Sequence, residues 1–371
     1  MKILLFLIAI TLVGFNTNLK AQNLHHNKRL LHASSAEVDI KIGKEWIGKV
    51  WTVSPEIKSD SLNIFFFSKN KTLRFKTDQH TLRMRFKTEQ PESFYVKLNA
   101  NLPAHTVITG ETYNWQISRY DNSNPINSFN LFFENASHNY FDSLRKAYPL
   151  DHLIKANMND TEKVLAILNW THHQWTHNGS VSPKGKTGIE ILDEAKAGGR
   201  FPCFAYSIVL KDQLTAYGFP ARVLYLKTKD ATTRTSSPGH VVTEVFIKDL
   251  GKWAYIDGQF NVMPTYRGRP LNAAEFQQAL VKNYNKVRLR SMDQVSKYQY
   301  VAFVHDYLYY FDTKADNRIL PESMLNKVAG KPSIMLVPLN GENLTKIAYW
   351  QSSVDYCYYT NTLKEFYSVP N

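Results

Sequence analysis

Three patterns of apolar and polar positions alternate along the chain. Between residues 36 and 120, short runs repeat with period two. Leu82, Met84 and Phe86 alternate with Thr81, Arg83 and Arg85, and Phe94, Val96 and Leu98 alternate with Tyr95 and Lys97. Asp78-Gln79-His80 and the stretch Glu89–Glu92 supply turns between them, which predicts a small β-sandwich-like domain. Asp121-Asn122-Ser123-Asn124-Pro125 reads as a loop at its end, and Phe132 to Ile154 as a helical lead-in. Phe204 to Tyr217 is apolar apart from Ser207, Lys211, Asp212, Gln213 and Thr215, and is closed by Gly218 and Pro220. That predicts a buried helix with glycine just past its end and proline beyond. Val241, Val245 and Ile247 alternate with Val242, Glu244 and Phe246, so 240–247 reads as a strand, with Trp253–Ile256 as its antiparallel partner.

Further along, Asn272 with Glu275 has the spacing of a capping box. Tyr300, Val304, Tyr307, Leu308 and Phe311 recur at helical spacing, and Ser333–Leu339 and Tyr356–Thr360 read as late strands. No internal repeat and no low-complexity linker appears.

Candidate chemistry sits on the middle elements. Gly198, Gly199 and Pro202 break the chain directly before Cys203, which places this thiol at the start of the predicted helix. Unpaired backbone N–H groups and the helix dipole favour a thiolate there and offer half an oxyanion hole. If Lys248-Asp249-Leu250-Gly251 forms a four-residue loop, Ile247 pairs with Lys252 and Asp257 falls opposite Val242. His240 and Asp257 are then diagonal neighbours, about 7–8 Å apart in the backbone. A two-residue loop keeps the face but adds a step between them. A thiol, an imidazole and an orienting carboxylate from three elements have the composition of a nucleophile–base–orienter triad. Taken singly, each also has a structural reading: a small buried cysteine, a surface histidine and a turn aspartate.

These residues carry a resemblance. From about Asn159 to Pro264 the chain resembles a transglutaminase-like domain of the papain-like cysteine-enzyme superfamily. The matching features are DTEKVLAILNWTHHQWTH, Cys203, the YGFPARVLYL segment, Gly239-His240, Trp253 and Asp257. The likeness implies an α+β core, a helix packed on an antiparallel sheet. It implies Cys203 as nucleophile, His240 as base and Asp257 as orienter, with Gln174 or Trp175 as candidate oxyanion donors from the upstream segment. Phe201 stands where many members have glycine, His240-Val241-Val242 where many have His-Ala-Trp, and Asp257-Gly258 where many have Asp-Pro.

The start of the chain bears on compartment. Lys2, the apolar run Ile3–Gly14 and Leu19-Lys20-Ala21 have the form of a signal peptide cleaved near Ala21. The run is short for a membrane span, and no later stretch is long and apolar enough. This predicts an exported, periplasmic or extracellular, bacterial protein. Loss of Lys2 and Lys20 lowers the net charge from +13 to +11. The basic residues are scattered, and no motif points to nucleic acid. The chain holds two cysteines, Cys203 and Cys357. A disulfide between them would consume the nucleophile, so both are read as thiols.

His172, His173 and His177 precede the nucleophile. His173 and His177 at i, i+4 could bind a metal on a helix, but no Glu follows the first histidine and no third ligand is evident. No metal and no cofactor is therefore predicted. The domain reading is a signal peptide over 1–21, a β domain over 36–120, the transglutaminase-like domain over 132–270, and a mixed α/β extension over 271–371 packing on the core. Two functions follow: a thiol enzyme acting on peptide or glutamine-type amides of a peptide or protein substrate, by hydrolysis or acyl transfer, or a catalytically silent module binding peptide or glycan at the cell envelope. The sequence is silent on oligomeric state.

Overall fold

A computed structural model describes residues 24–48, 59–68, 71–86, 90–124 and 129–370. The signal peptide expected over 1–21, and part of the turn expected at Glu89–Glu92, lie outside these residues. The described residues up to Glu111, apart from 45–47 and 67–68, form one compact unit, and the others form a second. The chain is a mixed helix-and-sheet protein with a sheet-rich N-terminal region.

In the first unit, strands Asp39–Ile42, Thr72–Lys76 and Thr81–Arg85 run antiparallel, with Leu73 opposite Met84 and Phe75 opposite Leu82. Those four side chains are buried while Arg83 and Arg85 are exposed, as the period-two pattern predicts. A second sheet includes Lys28–Ala33, Glu92–Leu98 and Ala104–Thr112. The two pack through Phe75 and Phe94, whose ring centroids are 4.9 Å apart. Lys28–Ala33 pairs in parallel with Glu92–Leu98, so the unit starts before residue 36. The turn that launches this strand, His26-Asn27, has left-handed backbone at both residues and none of the usual glycine to mark it.

The second unit contains helices α1 (Asn139–Ala147), α2 (Asp160–His172), α3 (Gly188–Lys196), α4 (Cys203–Ala216), α5 (Ala273–Asn283), α6 (Lys297–Val304) and α7 (Leu363–Phe366). Its main sheet runs in the order Lys252–Ile256, Gly239–Ile247, Ala221–Lys227, Tyr310–Lys314, Ser333–Leu336, Cys357–Thr360. Each pair is antiparallel except the last. Three of these six strands lie beyond residue 271. The C-terminal segment is therefore part of the core sheet rather than an extension packed on it. Periodicity marks a strand, but its hydrogen-bonding partners are set by tertiary packing.

Leu210 and Leu214 of α4 and Val164 and Leu168 of α2 share a buried cluster with Ala221, Val245, Ala254 and Ile256 of the sheet. Asn159 and Glu162 form the capping box of α2, and Asn272 and Glu275 that of α5. Gly218 takes the left-handed conformation (φ 82°) that ends α4. Arg222, in the strand that follows, is fully buried. Its guanidinium donates to Glu244 Oε2 from Nη2 at 2.6 Å and Nε at 3.1 Å, and to the Phe366 carbonyl from Nη1 at 2.8 Å. The Gly-Phe-Pro-Ala-Arg element thus ends one helix and locks the sheet to the C-terminal residues. Among the described residues, no helix is long and apolar enough to cross a membrane.

Candidate active site

Cys203 is the first residue of α4, and Pro202 is the N-cap with no side-chain acceptor for the first-turn N–H groups. The entry to this turn is rigid. The Phe201 ring is buried against Trp175, at 5.8 Å between centroids. Its carbonyl accepts from Asn178 N–H at 3.2 Å and from Trp175 Nε1–H at 3.3 Å. Tyr206 of α4 packs tilted against Trp175, at 4.3 Å between centroids, and donates its hydroxyl to the Trp175 carbonyl at 2.7 Å.

His240 and Asp257 meet as the four-residue connection requires. Ile247 pairs with Lys252 and Thr243 with Ile256. His240 Nε2 lies 2.7 Å from Asp257 Oδ2, with the side chains 2% and 0% exposed. The same carboxylate oxygen accepts the Tyr300 hydroxyl at 3.0 Å, and Oδ1 accepts the N–H groups of Gln259 and Phe260 at 3.0 and 3.2 Å. Tyr255 extends the chain, its hydroxyl 2.7 Å from that of Tyr300. Four donors therefore fix one buried carboxylate. Its acceptor role toward His240 requires the hydrogen on Nε2 and leaves Nδ1 for the thiol.

Burial works against a charged imidazole at His240. The Asp257 charge and hydrogen bond, joined by a side-chain hydrogen bond with Cys203, outweigh it and raise the pKa to about 10. Phe303 packs edge-on to the imidazole at 5.0 Å and Tyr307 lies 6.1 Å away, with Phe260 4.8 Å from Phe303. These rings keep water from the ion pair. Cys203, by contrast, is half-buried. Of the three residues, Cys203 is the one that is not fully buried. His177 is exposed, and its pKa is lowered by burial and then by the His240 charge.

Other sequence expectations fare differently. Gln174 turns its amide back to the Trp170 carbonyl at 2.7 Å, and the Trp175 indole N–H is engaged by Phe201. Each candidate oxyanion donor is engaged by a main-chain carbonyl, the Trp175 indole through its single N–H. The helix carrying the histidines ends at His172, so His173 and His177 do not share a helical face. Cys357 is buried and unpaired, and burial, with Asp312 nearby, pushes its thiol up. Sequence reading missed Tyr300. Its helical spacing with Val304 marks it as core, and only the fold turns its hydroxyl onto Asp257.

Residues 150–258 match the sequence model of the Transglutaminase-like superfamily, a span that includes Cys203, His240 and Asp257. No curated protein sequence matches the chain. Among solved structures, the chain is similar to a candidate cysteine protease from Cytophaga hutchinsonii. The identity is 14%, over 56% of this chain and 77% of that one, with a TM-score of 0.27. The span holding α2, α4 and the His240–Asp257 pair is thus a transglutaminase-like domain, which this chain carries at residues 150–258.

Proposed function

We propose that Cys203, His240 and Asp257 are the catalytic triad of an exported thiol enzyme acting on peptide or glutamine-type amides. The observation that carries this is the buried 2.7 Å contact between His240 and Asp257, with the half-buried Cys203 among the groups that favour the charged form of the same imidazole. A cation beside a cysteine is the partner a nucleophilic thiolate needs. The Cys203 sulfur attacks the amide carbon, and the carbonyl oxygen takes the negative charge near the first N–H groups of α4. As the C–N bond breaks, His240 gives its proton to the leaving amine. A thioester remains on Cys203. Water or a second amine then loses a proton to His240 and attacks the thioester, releasing acid or a new amide and restoring the thiol. Both outcomes use the same residues.

Amine release from peptide and glutamine-amide substrates tests the reading. Wild-type protein should turn over at least one of them, and Cys203→Ala should abolish this with an unchanged circular dichroism spectrum. Equal turnover by Cys203→Ala would remove the thiol from the mechanism. Substrate binding without turnover by the wild type would make the domain a binding module.

A further inference from the structure

Beside the triad, three side chains distant in sequence converge. His172 ends α2, His173 follows it, and Asp293 arrives from the segment after strand Val287–Arg290. We propose that His172, His173 and Asp293 bind a divalent transition-metal ion of the zinc class.

The first argument is spacing. One ligand atom from each residue lies within 4.8 Å of the others. Asp293 Oδ2 is 3.8 Å from His172 Nε2 and 3.5 Å from His173 Nε2. Both distances exceed an ordinary hydrogen bond, about 2.7–3.2 Å. Two ligand atoms each about 2.0–2.1 Å from a tetrahedral zinc stand about 3.4 Å apart. The gap thus suits an ion between the groups better than direct contact.

The second argument is preparation of the ligands. His172 Nδ1 lies 3.1 Å from the Gly258 carbonyl and His173 Nδ1 lies 2.7 Å from the Asn169 carbonyl. A carbonyl only accepts, so each Nδ1 carries the hydrogen, and in the neutral ring Nε2 keeps its lone pair. A ring N–H held by a carbonyl is the outer support that metal-ligating histidines use. The carboxylate is supported too, because Asn261 Nδ2 donates to Asp293 Oδ2 at 2.7 Å and to Asn169 Oδ1 at 2.8 Å.

The third argument is a polar atom left over. Asn261 is 1% exposed, and its Oδ1 has no hydrogen-bond partner among the described residues. It belongs to the carboxamide that touches Asp293, and a metal-bound water would give it a donor. Two imidazoles and one carboxylate suit zinc or cobalt better than calcium or magnesium. His173 and Asp293 are 53% and 38% exposed, which leaves an ion a side open to water.

Such an ion would join the end of α2 to the Asp257–Val262 turn, since His172 holds Gly258 and Asp293 holds Asn261. It would brace the turn whose N–H groups orient Asp257. This is a structural role, in which the ion takes no part in the bond-making steps.

Full-length Cys203→Ala protein is the host for the test, so that zinc on the thiol cannot contribute. Calorimetric zinc titration should give one more equivalent bound than in the same host carrying His173→Gln or Asp293→Asn, or binding weakened at least about tenfold in each. Cobalt should give the visible absorption of a four-coordinate ion in the host and lose it in both variants. His173 and Asp293 are exposed, so each variant should keep the fold, checked by circular dichroism. No zinc uptake by the host at micromolar concentration would overturn the proposal. So would uptake unchanged by both substitutions, which would place zinc on other histidines.

Discussion

Replacing Asp257 by asparagine tests the pairing at its centre. The substitution keeps the size and removes the charge. Asparagine Oδ1 can still accept from Gln259 and Phe260, which places its amide nitrogen where Oδ2 now receives His240 and Tyr300. The imidazole must then accept at Nε2 and carry its hydrogen on Nδ1, facing the sulfur. It can no longer take a proton from the thiol. Without the Asp257 charge, burial is opposed only by Cys203, and His240 falls from about 10 to its ordinary value of about 6.5 or below. That difference is about 5 kcal/mol at about 1.4 kcal/mol per unit. The Coulomb energy of unit charges 2.7 Å apart, about 6 kcal/mol at an effective dielectric of about 20, sets the same scale. Turnover should fall about 10³–10⁴-fold, the scale of a wrong tautomer in a triad. The assay is the rate of Cys203 alkylation by iodoacetamide from pH 5 to 9, beside amide turnover. In wild type, alkylation should persist on the acid side, and in Asp257→Asn it should collapse there. Overlapping pH profiles for the two proteins would refute the reasoning.

Three further outcomes follow from the buried network. Tyr300→Phe removes one donor to Asp257 and leaves Tyr255 without its partner, so urea unfolding should show a loss of about 1–2 kcal/mol. As a positioning change it should lower kcat several-fold with little effect on KM. Arg222→Ala leaves the fully buried Glu244 carboxylate unpaired and should cost about 3–5 kcal/mol in the same assay, while Lys at this position, lacking the fork, should rescue only partly. The His240 pKa is raised by folding, so the pair contributes fully below about pH 6.5 and loses its contribution as pH rises toward about 10. The urea midpoint of wild type should therefore fall across that window more steeply than that of Asp257→Asn.

Local chemistry made the centre of the site legible in sequence. Pro202 and Gly218 bound the helix that Cys203 begins, and the connection through Gly251 (φ 60°) fixes the register that brings Asp257 to His240. Asn272 and Glu275 announced α5 by spacing alone. What stayed hidden depends on tertiary partners. Phe311 reads at helical spacing with Tyr300, but the helix ends at Val304 and Phe311 lies in the strand Tyr310–Lys314, whose pairing with Ala221–Lys227 is set by tertiary packing. Tyr300 and Asp293 reach Asp257 and the two histidines from far along the chain. The helical i, i+4 spacing of His173 and His177 fails because the helix ends at His172, and Trp175 beyond it packs on Tyr206 and Phe201.

The most direct measurement concerns the thioester. Full-length protein would be mixed with a glutamine-containing peptide or an activated amide, quenched in acid, and weighed intact by mass spectrometry before digestion. The account predicts an acyl adduct on Cys203 that hydroxylamine releases, and no such adduct in Cys203→Ala. Amide cleavage with no adduct on Cys203 at any time, undiminished in the alanine variant, would contradict it.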